Sequence, residues 1–233
     1  MAGMELVSEE RFLDNLRRVR EAIADALVKA GRRPEETALM AVTKSFPRAA
    51  AEMAARAGVT LLGENRVQEA EAKFAEGKPA AVHLIGHLQR NKAKKAAALF
   101  DCVQSIDKLE TARELDRQAA ALSQRMDVLL ELNTSGEESK SGYRDRESLL
   151  ADLEEIRQLP ALRVRGLMTI GPLGGDETAV RRSFALLRRL FEDIRPGDPA
   201  CTTLSMGMSH DFTWAVAEGS TLVRIGTALF GER

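Results

Sequence analysis

The feature that most constrains this chain is an alternation. Eight short apolar runs, at residues 39–43, 60–63, 83–86, 102–106, 128–132, 164–170, 203–206 and 222–225, are separated by helix-like stretches. Those stretches cover 48–57, 67–75, 91–99, 108–122, 147–158, 177–194 and 211–218, and a short turn at 228–230 follows the last run. Continuous apolar strands alternating with helices indicate a parallel sheet covered by helices. Eight such units fit a closed (β/α)8 TIM barrel, an α/β fold, better than an open doubly wound sheet. Ahead of the first strand, Phe12, Leu16, Val19, Ile23 and Leu27 recur at three- and four-residue steps, which predicts an extra N-terminal helix over 9–30. Ser8 caps its start, and Gly31 and Pro34 mark its end. At 44% hydrophobic residues, the chain has apolar material for one domain over 1–233, with the helix in 1–34 and the barrel in 35–233.

Composition excludes several function classes. Lys and Arg (34) nearly balance Asp and Glu (35), so no global charge favours a nucleic-acid or membrane partner. Cys102 and Cys201 are too few and too far apart for a disulfide framework or a metal knuckle, and fit a reducing compartment. The N-terminus is acidic and lacks the basic and apolar regions of a signal peptide. No apolar stretch approaches the roughly 18 residues of a membrane span. The expectation is a cytoplasmic protein, taken as a monomer.

In such a barrel, ligand residues gather where strands end. Lys44 closes the first run, Glu64 and Asn65 end the second, and His87 follows the third. Ser105 lies near the end of the fourth, Asn133 ends the fifth, Ser205 falls in the seventh, and Arg224 to Thr227 complete the eighth. A strand-end lysine can be partly desolvated, which would lower its pKa and free the amine for Schiff-base chemistry. Gly226-Thr227-Ala228-Leu229-Phe230 reads as a phosphate cradle, where glycine permits close backbone approach and a short helix would begin. Barrels often hold phosphate after strands 7 and 8. Arg224 placed inward can donate to a pyridine nitrogen and keep that nitrogen unprotonated. An amine, an arginine and a phosphate cradle together are what a pyridoxal 5'-phosphate (PLP) site needs. Each alone has a plainer reading: a surface lysine, a tight turn, a rim arginine paired with an acid.

Other features are weaker. His83 and His87 lie four apart without a neighbouring glutamate, so no H-E-x-x-H zinc site is expected. Arg90, Lys92, Lys94 and Lys95 read as a solvated helix face. Lys140 is a loop lysine near the barrel mouth, where its amine could make a second contact to PLP. Residues 171–175 lack the G-x-G-x-x-G spacing and read as a loop.

Seven segments in order resemble the PLP homeostasis protein family: residues 41–44 (Ala41-Val42-Thr43-Lys44), 63–69, 83–92, 139–142, 165–168, 204–209 (Leu204-Ser205-Met206-Gly207-Met208-Ser209) and 223–231. The resemblance implies the barrel found in the N-terminal half of alanine racemase. It makes Lys44 the Schiff-base lysine and Arg224 the partner of the pyridine nitrogen. The phosphate is placed near Ser205, Met206, Ser209, Gly226 and Thr227, and Asn65 at the ring face or hydroxyl side. The implied role is to bind, buffer and hand on PLP, with apo-PLP enzymes as recipients and without efficient turnover, so no catalytic residues are assigned. Phe46 departs from the family, many of whose members carry a second lysine there, and His210 replaces a frequent acidic residue.

The alternatives are a PLP-dependent amino-acid racemase and a barrel lyase that uses Lys44 on a phosphorylated sugar or aldehyde. Two-base racemization needs a second acid/base, supplied in alanine racemases by a tyrosine of an extra β-domain. Here the single tyrosine, Tyr143, falls in a loop, and the chain runs only two residues beyond Gly231.

Overall fold

The apolar runs form eight parallel strands in the computed structural model, which describes residues 6–232. They are β1 (Ala38–Val42), β2 (Leu61–Glu64), β3 (Ala81–Leu84), β4 (Cys102–Ile106), β5 (Met126–Glu131), β6 (Leu162–Met168), β7 (Thr203–Ser205) and β8 (Leu222–Ile225). Each pairs with the next, and β8 pairs back onto β1 through Ala38↔Leu222 and Met40↔Arg224, closing the barrel. Around it lie α2 (Arg48–Arg56), α3 (Val67–Lys73), α4 (Ala93–Leu99), α5 (Leu109–Ala121), α6 (Arg146–Arg157), α7 (Glu177–Ile194), α8 (Phe212–Ala217) and the single turn α9 (Thr227–Phe230). Among the described residues, no helix is long and apolar enough to cross a membrane.

The N-terminal helix α1 (Glu9–Lys29) starts at Ser8, whose side chain accepts from the Arg11 N–H at 3.3 Å. Its apolar face, led by Phe12, Leu16 and Leu27, is buried. Phe12 stacks on Phe230 of α9 at 5.2 Å between centroids, and Phe46 meets the same ring at 5.0 Å. The helix therefore braces the segment after β8 from outside the sheet.

β3, β5 and β6 each start two residues earlier than their apolar runs. The runs at β3 and β6 continue past the strand ends because Ile85, Gly86 and Ile170 line a cavity above the sheet. Apolarity reports burial there and says nothing about strand pairing.

β6 contains one irregularity. Val128 pairs with Val164 while the next residue, Leu129, pairs with Gly166, so Arg165 is an extra residue in the strand. Gly166 adopts φ +147°, and a Cβ there would sit 1.8 Å from the Thr203 carbonyl oxygen. Gly166→Ala must displace backbone of the neighbouring strand, at a cost of about 2 kcal/mol or more. The expected result is a thermal midpoint lower by about 4–8 °C, read by circular dichroism. An unchanged midpoint would mean that β6 and β7 can separate freely at this point.

Candidate cofactor site

At the end of β1 the backbone turns sharply. Thr43 N–H donates to Gly63 O at 3.0 Å and Phe46 N–H to Thr43 O at 3.1 Å. Ser45, between them, has φ +65°, a left-handed conformation uncommon outside glycine and sustained only where its surroundings demand it. Phe46 then drops back into the core at 3% exposure against Phe230. Lys44 is thereby left half-buried on the wall of a cavity of about 700 Å³ at the strand-end mouth of the barrel. The aromatic residue at position 46 has a structural role: it anchors the turn that carries Lys44.

On β8, the strand that closes the barrel against β1, Arg224 lines the same cavity at 3% exposure. Its Nη1 donates to Ser205 Oγ at 2.6 Å and its Nη2 to the Thr169 carbonyl at 2.8 Å. Because a guanidinium only donates, Ser205 must pass its own hydrogen on, and it does so to Gln104 Oε1 at 2.7 Å. Gln104 Nε2 lies 2.9 Å from His83 Nδ1. Burial pushes the His83 pKa down to about 4, so its ring is neutral and Nδ1 can accept. One directed chain of hydrogen bonds thus runs from Arg224 to His83 through the barrel interior. Burial also lowers the Arg224 pKa, to about 10, against the opposing pull of Glu131 and Asp211, and the group stays charged at neutral pH.

The third part of the wall is backbone. Gly207, at φ +96°, turns so tightly that a Cβ would meet the Ala215 side chain at 2.5 Å. This turn delivers Ser209, whose Oγ accepts from the N–H groups of Gly226 at 3.3 Å and Ala228 at 3.2 Å. An oxygen already sits where those N–H groups converge, which is the chemistry a phosphate oxygen would meet. Thr227 lines the cavity beside them.

Of the residues singled out from sequence, Lys44, Asn65, Ser209, Arg224, Gly226 and Thr227 surround this one cavity. Ser205 stands behind Arg224, and Met206 is fully buried in the apolar core, so neither lies on the wall. Asn65 is packed so closely that a Cβ on Gly86 would approach its carbonyl oxygen to 2.3 Å. Lys140 also lines the cavity, where its Nζ donates to Glu137 Oε1 at 2.6 Å and to the Gly171 carbonyl at 2.8 Å. His83 and His87 diverge: His83 faces Gln104, while His87 Nδ1 lies 3.0 Å from Asp107 Oδ2.

One wall residue escapes a reading of the sequence alone. Glu131, the last residue of β5, is 4% exposed and faces the cavity. Burial first, then the neighbouring Asp107, push its pKa up to about 7, against the pull of Arg224. A carboxylate closing the strand directly after the apolar run Val128-Leu129-Leu130 is the available signal.

Comparison with known proteins bears on this geometry. Residues 8–233 match the family model "Alanine racemase, N-terminal domain". The pyridoxal phosphate homeostasis protein of Pseudomonas aeruginosa is 44% identical over 222 residues, covering 94% of this chain and 95% of that protein. The structure of PipY from Synechococcus elongatus with PLP bound superposes with a TM-score of 0.76 at 38% identity, covering 90% of this chain and all of that one. An alanine racemase of Clostridium difficile shares the fold at TM-score 0.75 and 16% identity, and this chain covers 57% of its length. With the barrel, its mouth and these relatives in view, the chain belongs to the pyridoxal phosphate homeostasis proteins, within the alanine racemase N-terminal domain family.

Proposed function

We propose that this protein holds PLP at the barrel mouth through the Lys44 amine and hands it on to PLP-dependent apoenzymes in the cytoplasm. The observation that carries the reading is the meeting of three chemistries around one cavity. Lys44 offers an amine, Arg224 a buried guanidinium, and the Ser209, Gly226 and Ala228 segment a convergent set of polar groups. PLP carries an aldehyde, a pyridine nitrogen and a phosphate, so the donor set fits the group. When bound, PLP supplies the aldehyde that a lysine amine captures with release of one water.

The chain's own residues define the rest. Arg224 would face the pyridine nitrogen as a donor, held in place by Ser205 and Thr169. A pyridine met by an arginine is a weaker electron sink than one met by a carboxylate, which favours storage over chemistry. Tyr143, the single tyrosine, is buried with its hydroxyl on Asp152 at 2.9 Å and does not line the cavity. That placement, and relatives named as homeostasis proteins, support a carrier over a racemase.

The hand-over is tested by mixing PLP-loaded protein with an apo-PLP enzyme in the presence of a scavenger of free PLP. Recovery of the enzyme's activity is expected despite the scavenger. Recovery no better than with an equal amount of free PLP would contradict delivery.

Glu131 makes the site sensitive to pH. Its carboxyl pKa is raised in the folded protein from 4.5 to about 7. The stability it contributes is present below about pH 4.5 and is lost as pH rises through about 7. Over the same range the cavity gains a negative charge, which opposes an anionic ligand. Relative to Glu131→Gln, the wild type should bind PLP about threefold to tenfold more weakly at pH 8 than at pH 6. Parallel pH profiles for the two proteins would remove Glu131 from this role.

A further inference from the structure

Both peptide groups that flank Lys44 are held by side chains from one helix. On α3, Glu69 and Lys73 are four residues apart and share a face. The Lys73 ammonium donates to the Thr43 carbonyl at 2.7 Å, the oxygen of the peptide group entering Lys44. The Glu69 carboxylate, through Oε1, accepts from the Ser45 N–H, which belongs to the peptide group leaving Lys44. That Oε1 lies 3.3 Å from Lys73 Nζ, so the two ends of the clamp are joined to each other.

The clamp is anchored below. Lys73 also donates to Glu64 Oε1 at 2.7 Å, and the Thr43 hydroxyl donates to the same oxygen at 2.6 Å. The Lys73 side chain is 5% exposed and Glu64 is fully buried. Taking these charges out of water costs more than filling the space with apolar side chains of similar size. Glu64 Oε2 has no partner among the described residues, a further cost. Stability alone does not account for such an arrangement, whereas control of one backbone turn does. Ser45 at φ +65° needs that control, because its conformation is disfavoured without external restraint.

We propose that Lys73 and Glu69 are positioning residues for Lys44, fixing the peptide groups on either side so that its amine is directed into the cofactor cavity. This rests on the reading of Lys44 as the attachment point for PLP. The clamp donates no atom to the linkage: amine and aldehyde condense, one C=N bond forms, and one water leaves.

The test separates binding from attachment. For wild type, Lys73→Met, Glu69→Leu and Glu69→Gln, total bound PLP is measured by equilibrium dialysis. The fraction fixed on Lys44 is measured by borohydride reduction and peptide mass spectrometry, with thermal melts to verify folding. Lys73→Met and Glu69→Leu should lower the ratio of fixed to bound PLP by about tenfold or more, the worth of one charge-assisted hydrogen bond. Glu69→Gln, which keeps an acceptor for Ser45, should retain most of the wild-type ratio. If Lys73→Met fails to fold, the Glu69 pair decides the matter, since that side chain is 28% exposed. A folded Glu69→Leu with the wild-type ratio, or Glu69→Gln falling as far as Glu69→Leu, would overturn the clamp. A wild-type protein that binds PLP without label on Lys44 would instead overturn the reading of the site on which the clamp rests.

Discussion

The site depends on the closure of the barrel between its first and last strands. Pairing of Met40 with Arg224 brings together segments from opposite ends of the chain. Because the strands all run parallel, the segments leaving β1 and β8 emerge at the same mouth. Lys44 and Thr227 thereby share one cavity wall, with Arg224 set deeper. The aromatic contacts of Phe46 and Phe12 on Phe230 tie the β1 turn, α1 and α9 into one packed unit outside that closure. Loosening the seam would separate the groups that the proposed function requires side by side.

Polar groups buried in the barrel have consistent logic. Arg224 is stabilised in the interior by directed hydrogen bonds that end on a neutral histidine, so no second buried charge is needed at the far end of that chain. Lys73 is stabilised by Glu64, Glu69 and a backbone carbonyl. Both cations stand next to functional segments, one lining the cavity and one behind the Lys44 turn. The interior is therefore organised around orientation, at some expense in desolvation.

Much of the fold was legible because its signal is local. The alternation of apolar runs and helical periods located all eight strands, and the stepwise apolar residues from Phe12 to Leu27 located α1. The apolar runs overran the ends of β3 and β6, since Ile85 and Ile170 are apolar for the sake of the cavity and not of the sheet. Lys44, Arg224 and the segment from Gly226 stood out by position at strand ends. Gln104, Lys73 and Glu131 did not. Gln104 matters through contacts across the barrel interior to Ser205 and His83, and Lys73 through contacts to Thr43 and Glu64 at the ends of neighbouring strands. Glu131 matters through its burial against the cavity. Ser205 and Met206 belong to a stretch whose composition fits a phosphate site, yet one supports Arg224 and the other fills the core. Successive residues of extended chain face opposite sides, and only the packing at the end of β7 shows which of the two turns inward.

The account turns on which amine holds the cofactor, and two lysines line the cavity. The direct measurement is borohydride reduction of the PLP-loaded protein, then proteolysis and mass mapping of the modified peptide. At stoichiometric PLP the label is expected on Lys44, with loss of covalent labelling in Lys44→Ala while the fold is retained. A label on Lys140 in its place, or undiminished labelling of the Lys44→Ala protein, would contradict it.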